Sequence, residues 1–215
     1  MGVSPDQYFD DLYSRDPELE RVGEVIRSAE MPEISVAPGY GRLLTFLTTI
    51  SKARLVLEIG ALGGYSGICL ARGLTDDGKL LSLELHQEYA DIAKANLTAA
   101  GLGDRVEYLV GDASESLEKL ISQEKRFDFF FIDADKENYP HYLEACIQLA
   151  NEGAIIAADN TLLRGKTTDD SKQGPSVLAM RQFNRLIAQD SRLLGVHLPA
   201  YDGLALARVK QFRKI

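Results

Sequence analysis

The apolar positions change their rhythm near Leu55. Before that point they recur at helical spacing; after it, short unbroken apolar runs alternate with helical patterns. Residues 5 to 30 carry helical patterns with Leu12, Leu19, Val22, Val25 and Ile26 as the apolar face. Pro32 and Pro38 interrupt them, and Tyr40–Ile50 predicts a further helix with Leu43, Leu44, Phe46, Leu47 and Ile50 inward. Strands are predicted at Leu55–Ile59, Lys79–Glu84, Val106–Val110, Phe127–Ile132 and Ala154–Ala158. Helices are predicted from the glycine-rich turn after Ile59 to Gly73, and over Gln87–Ala100, Ser114–Ser122 and Tyr139–Ala150.

Alternation of this kind implies a parallel sheet with helices on both faces, an α/β fold. Arg164–Gly174 is polar and aperiodic, either a lid over a binding site or a long surface loop. Val177–Gln189 predicts a helix. Arg192–Leu198 and Leu204–Lys210 form a closing pair of strands around Pro199-Ala200-Tyr201-Asp202-Gly203. The return leaves no room for a crossover helix, so the pair is antiparallel. One domain over residues 1–215 is expected, with a helical extension at 1–33 and a core at 34–215.

Composition narrows the classes. A chain of 215 residues that is 45% hydrophobic builds one α/β domain with a full core. No apolar run approaches the roughly 20 residues needed to cross a bilayer. Met1–Arg15 is polar and acidic, unlike a signal peptide, so a cytoplasmic enzyme is expected. The net charge of −8 argues against nucleic acid or a membrane surface as partner. Cys69 and Cys146 lie in apolar helical patterns and read as buried free thiols. His86, His141 and His197 show no zinc-like spacing.

Candidate chemistry gathers where strands end, because ligands of open α/β sheets bind at the strand carboxyl ends. Asp133 follows the fourth predicted strand, and Asp159-Asn160 follow the fifth. Three hard oxygen donors there suit Mg²⁺ or a similar cation with coordination positions left open. Lys136 is placed to act as a base; its plainer alternative is a solvated surface lysine. Gly60, Gly63, Gly64 and Gly67 follow the first strand, and Glu84 ends the second, 24 residues after Gly60. Glycines let the backbone approach a ligand, and an acid at Glu84 accepts from ribose hydroxyls, which together indicate a nucleoside-containing cofactor. Leu62 stands where Gly-x-Gly-x-x-Gly requires its second glycine, and Glu58 opposes a pyrophosphate but suits the amino group of a methionine moiety. S-adenosylmethionine is therefore favoured over NAD. The plainer readings are glycines serving strand–helix packing and Glu84 as a solvated strand end. Asp112 either lines an adenine pocket with Ala113 or caps the following helix, and Asp135 has a similar capping alternative.

Glu58-Ile59-Gly60-Ala61-Leu62-Gly63-Gly64-Tyr65-Ser66, Phe131-Ile132-Asp133-Ala134-Asp135-Lys136-Glu137-Asn138-Tyr139 and Ala158-Asp159-Asn160-Thr161-Leu162 occur in that order. With Asp202-Gly203 near the end, the chain from about Ile34 onward resembles the cation-dependent O-methyltransferases of the caffeoyl-CoA and catechol O-methyltransferase family. The resemblance implies a Rossmann-like, S-adenosylmethionine-dependent methyltransferase fold: a seven-stranded, mostly parallel sheet with its last strand antiparallel. It implies cofactor contacts from Val36, Glu58, Gly60, Ala61, Ser66, Glu84, Ala113 and Asp135, those of Val36 and Ala113 through backbone groups. It implies Mg²⁺, or Mn²⁺ or Ca²⁺, on Asp133, Asp159 and Asn160, Lys136 as general base, and a homodimer. Leu163-Arg164 stands where plant caffeoyl-CoA enzymes tend to carry Trp-Asn, and residues 1–33 have no counterpart to carry over, so the acceptor stays open among small catechol-like phenols.

The implied reaction is displacement at a sulfonium methyl group by a phenolic oxygen whose proton affinity the cation lowers. Its alternatives are an NAD-dependent oxidoreductase and a non-catalytic protein that binds S-adenosylmethionine. The acidic charge counts against an RNA methyltransferase.

Overall fold

The computed structural model describes residues 2–210. Seven strands, β1 (Leu55–Ile59), β2 (Lys79–Glu84), β3 (Val106–Val110), β4 (Phe127–Ile132), β5 (Ala150–Asp159), β6 (Leu193–Leu198) and β7 (Leu204–Val209), form one sheet. Their order is β3-β2-β1-β4-β5-β7-β6. The first five are parallel, as the apolar runs predict. β7 is antiparallel to both its neighbours and lies between β5 and β6 rather than at the edge. Among the described residues the α-helices are α1 (Pro5–Asp10), α2 (Pro17–Ser28), α3 (Pro38–Ser51), α4 (Tyr65–Gly73), α5 (Gln87–Ala99), α6 (Ala113–Ser122), α7 (Tyr139–Leu149) and α8 (Pro175–Gln189). Ser4, Asp16 and Asp112 cap α1, α2 and α6 by accepting backbone N–H groups of the first turn.

Period-two alternation sends successive strand side chains to opposite faces. On β4, Phe130 and Ile132 pack with α6, α7 and α8, and the register shift between Phe127 and Phe129 brings Phe127 to the same core. Phe129 and Phe131 pack on the other face with α2, α3 and α4. This two-sided burial explains why β4 reads as unbroken apolar sequence rather than as alternation.

Three expectations are corrected. Leu12 falls in the turn between α1 and α2 and is exposed. Phe46 and Ile50 are exposed on α3, whose buried stripe is Tyr40, Gly41, Leu44 and Thr48, four residues apart or adjacent on one face. β5 begins at Ala150 rather than Ala154, and α7 stops one residue earlier than expected. The polar Asn151-Glu152-Gly153 hides this extension. Phe127 pairs with Ala150 but Phe129 with Ile155, so the segment bulges out of the ladder, with Gly153 at φ +81°.

Phe130 is fully buried in the middle of the sheet. Phe130→Ala is expected to lower the unfolding free energy by about 3–5 kcal/mol, measured as a lower denaturant midpoint at unchanged slope.

Candidate active site

The strand order reverses between β1 and β4, since the chain winds outward to β3 and then returns to the other side of β1. A crevice at such a switch point is where doubly wound sheets bind ligands. A cleft of about 1030 Å³ opens there at the carboxyl ends of the strands. Gly60, Ala61, Ser66, Glu84, Ala113, Asp133, Asp135, Lys136, Asp159 and Asn160 all line it. Val36 does not: its side chain is buried in the α2–α3–α4 core, while Ser35 and Ala37 beside it face the cleft. Glu58 stands behind the wall.

The first turn is shaped by one close approach. Gly60 has φ +100°, and a Cβ there would lie 2.2 Å from the carbonyl oxygen of Asp133. The turn is then held by Glu84. Its Oε2 accepts the N–H groups of Ala61 (3.2 Å) and Leu62 (2.9 Å), and its Oε1 accepts that of His86 (3.0 Å). Leu62 sits at a left-handed φ of +46°. Glu84 therefore organises the glycine turn as well as facing the cleft, a role the spacing argument did not find.

Glu58 and Ser82 are register partners on β1 and β2, with side chains on the same face. The Ser66 and Ser82 hydroxyls donate to the two Glu58 oxygens, each at 2.6 Å. Burial pushes the Glu58 carboxyl up to about 7, against the lowering effect of those two hydroxyls. Asp112 takes the capping role, accepting from the Ser114 and Glu115 N–H groups, and also lines the cleft beside Ala113. Asp135 makes no capping bond; its oxygens accept from the Tyr142 hydroxyl (2.5 Å) and the Asn138 amide (2.8 Å).

At the other end, Asp133 leaves β4 and Asp159 ends β5. The Asp159 carboxylate accepts the Asn160 N–H at 2.8 Å. Burial first, and then the charge of Asp133, raises its pKa to about 7. Two neighbouring carboxylates with an amide oxygen make a hard donor set that suits a divalent cation. Among the described residues no group of three or more His, Cys, Asp or Glu side chains is placed to hold a metal, so this set relies on Asn160 for its third donor.

Lys136 Nζ donates to Asp133 Oδ1 at 2.8 Å and to the Tyr139 hydroxyl at 2.7 Å. Tyr139 is fully buried, and its hydroxyl oxygen lies 3.2 Å from the Ile132 carbonyl and 3.1 Å from the Asp159 carbonyl. It thus ties the ends of β4 and β5 to the lysine. Burial, then the nearby aspartates, keeps this phenol protonated, its pKa far above the ordinary 10.0. Sequence reasoning placed Tyr139 only as a helix start. The loop over 164–174 contains a 3₁₀ turn, Lys166–Thr168, and Arg181 of α8 donates to the carbonyls of Lys166, Thr167 and Asp169.

Residues 12–210 match the family model described as O-methyltransferase. The chain belongs to the O-methyltransferase family. It is 37% identical over 214 residues to a catechol O-methyltransferase of Niastella koreensis, covering 96% of this chain and 97% of that one. It is 30% identical over 206 residues to a caffeoyl-CoA O-methyltransferase of Stellaria longipes, covering 92% and 86%. The crystal structure of an O-methyltransferase from Bacillus cereus in complex with SAH superposes with a TM-score of 0.89 at 42% identity, over 95% of this chain and 96% of that one. In fold and family, the chain is an S-adenosylmethionine-dependent O-methyltransferase, which removes the NAD-dependent alternative.

The raised pKa of Glu58 has a signed consequence for this O-methyltransferase. Its folded value of about 7 exceeds the ordinary 4.5, so the fold favours the protonated acid. The linked stability is fully present below 4.5 and is lost as pH rises through about 7. Glu58→Gln is expected to shrink the fall in unfolding free energy between about pH 4 and pH 8 by about 3 kcal/mol, at roughly 1.4 kcal/mol per pH unit. Asp159 contributes a fall of the same sign in both proteins. Denaturant titrations of the metal-free protein at the two pH values measure it.

Proposed function

We propose that this enzyme transfers a methyl group from S-adenosylmethionine to a hydroxyl of a catechol-like or caffeoyl-type phenol, with a divalent cation held by Asp133, Asp159 and Asn160. Mg²⁺ is the first choice, with Mn²⁺ and Ca²⁺ as alternatives. The observation that carries the reading is Lys136 Nζ, hydrogen-bonded to Asp133 Oδ1 at the end of the cleft where the oxygen donors lie. The names of the catechol and caffeoyl-CoA relatives support the acceptor class.

When bound, the cation supplies Lewis acidity that lowers the proton affinity of the acceptor hydroxyl. The chain's own groups do the rest. Glu84 accepts from the ribose hydroxyls, and Ser66, Asp135 and the backbone at Val36, Gly60, Ala61 and Ala113 bind the remainder of the donor. Glu58 supports that surface through Ser66. Lys136 takes the acceptor proton. Asp133 and the Tyr139 hydroxyl both accept from its amino group and hold the nitrogen in place at the end of the cleft. Holding the acceptor oxygen in line with the methyl group supplies the remaining advantage.

The reading includes a homodimer in the cytoplasm. Exposed Phe46 and Ile50 on α3, with Tyr8, Phe9 and Tyr13 at the N-terminus, support an apolar contact between copies. Sedimentation at micromolar concentration checks this, and a monomer refutes it.

The deciding experiment is methyl transfer to a panel of catechols and a caffeoyl ester, with Mg²⁺ and again with EDTA. Turnover is expected only with the metal; turnover indifferent to EDTA refutes the cation assignment. Lys136→Ala is expected to lower kcat by about 10²–10⁴-fold while donor affinity holds, and unchanged turnover removes Lys136 from the mechanism.

A further inference from the structure

Asp202-Gly203 belongs to the sequence pattern shared with the family and lines the same cleft through Asp202. In the structure it forms the turn between β6 and β7 and grips the loop that leaves β5. The Thr161 N–H donates to the Gly203 carbonyl (3.1 Å) and the Leu162 N–H to the Asp202 carbonyl (2.9 Å). The Arg164 N–H donates to the Asp202 carboxylate at 2.5 Å. The gripped segment is unusual: Asn160, Leu163 and Arg164 have φ of +60°, +49° and +54°. Residues other than glycine keep that conformation only where their surroundings hold them. The Leu163 N–H also returns to the Asn160 carbonyl at 3.1 Å, so the held residues close a tight turn on Asn160 itself.

The β6–β7 turn is anchored in its own right. Tyr201, at φ +50°, donates its N–H to Asp6 (3.2 Å) and its hydroxyl to Asp10 (3.1 Å). Asp10 pairs with Arg42. The Tyr40 hydroxyl donates to the Ala200 carbonyl at 2.5 Å, and the Tyr40 and Tyr201 rings meet edge to face at 4.8 Å. A Cβ on Gly39 would lie 2.1 Å from the Tyr201 hydroxyl, so the N-terminus of α3 leaves that oxygen no room to move inward. α1 buries no side chain, and these polar contacts join it to the turn.

We propose that Asp202 is a positioning residue for the cation site: it fixes residues 162–164 so that Asn160 keeps its left-handed turn and presents its amide beside Asp159, with Tyr201 anchoring Asp202 to the N-terminal helix. This rests on the assignment of Asp159 and Asn160 to a divalent cation. Partners of metal ligands set ligand geometry, and losing one weakens metal binding by about tenfold or more.

The test is the Mn²⁺ dissociation constant of the full chain saturated with S-adenosylhomocysteine, measured by calorimetry alongside affinity for S-adenosylhomocysteine. Asp202→Ala is expected to weaken Mn²⁺ binding about tenfold and leave S-adenosylhomocysteine affinity unchanged. Asp202→Asn, which keeps an acceptor oxygen, is expected to stay within about threefold of the original protein. Tyr201→Phe is expected to weaken Mn²⁺ binding about threefold. Unaltered Mn²⁺ affinity in Asp202→Ala overturns the proposal. Equal losses in the Ala and Asn variants also overturn it, since they assign the effect to charge. If Asp202→Ala does not fold, Tyr201→Phe decides, and unaltered affinity there overturns the proposal. Absence of Mn²⁺ binding in the unsubstituted protein removes the cation assignment itself, and this inference with it.

Discussion

The contact between Gly60 and the carbonyl of Asp133 governs the arrangement of the cleft. β1 and β4 are adjacent parallel strands, and the ladder continues past their ends through the Asp133 N–H donating to the Ile59 carbonyl at 2.9 Å. With no side chain on Gly60, the turn after β1 and the strand end that carries Asp133 come together at one point on the wall of the cleft. A methyl donor and an oxygen acceptor must meet in line within a few tenths of an ångström, and a pair of rigid strand ends gives that precision better than mobile loops do.

Around that contact, buried polar groups act as ties. Glu84 spans three backbone N–H groups and stiffens the turn after β1. Glu58 lies between two serine hydroxyls and joins β1, β2 and α4. Tyr139 joins β4, β5 and Lys136. Glu58 and Tyr139 are partnered on every polar atom, which lets them remain in a largely apolar core and limits the local conformations. Left-handed residues other than glycine occur at Leu62 in the turn that Glu84 holds and at Asn160, Leu163 and Arg164, where the backbone bends sharply out of β5.

Most of the architecture was legible because its signals are local. Apolar runs of strand length marked β1 to β4, and the short return after Leu198 marked the antiparallel pair. The beginning of β5 was not legible, since a bulge rich in polar residues and glycine looks like a loop. Phe46 and Ile50 misled because helix periodicity assumes a single apolar face, whereas α3 also carries apolar residues outward. In the site, residues at strand ends were readable from type and position. Ser82, Tyr139 and Tyr201 were not, because their importance lies in partners distant in sequence: Ser82 pairs with Glu58, Tyr139 with Asp159, and Tyr201 with Asp10. Val36 is buried, and its neighbours Ser35 and Ala37 are the residues that line the cleft.

The left-handed run at Asn160, Leu163 and Arg164 limits how this cleft can diversify. Such φ values admit glycine, asparagine and side chains unbranched at Cβ, and penalise valine, isoleucine and threonine, whose second Cβ substituent collides with the backbone. Variation of the cleft wall at these positions is therefore channelled into changes of length and charge beyond Cβ, while branching at Cβ is closed to it.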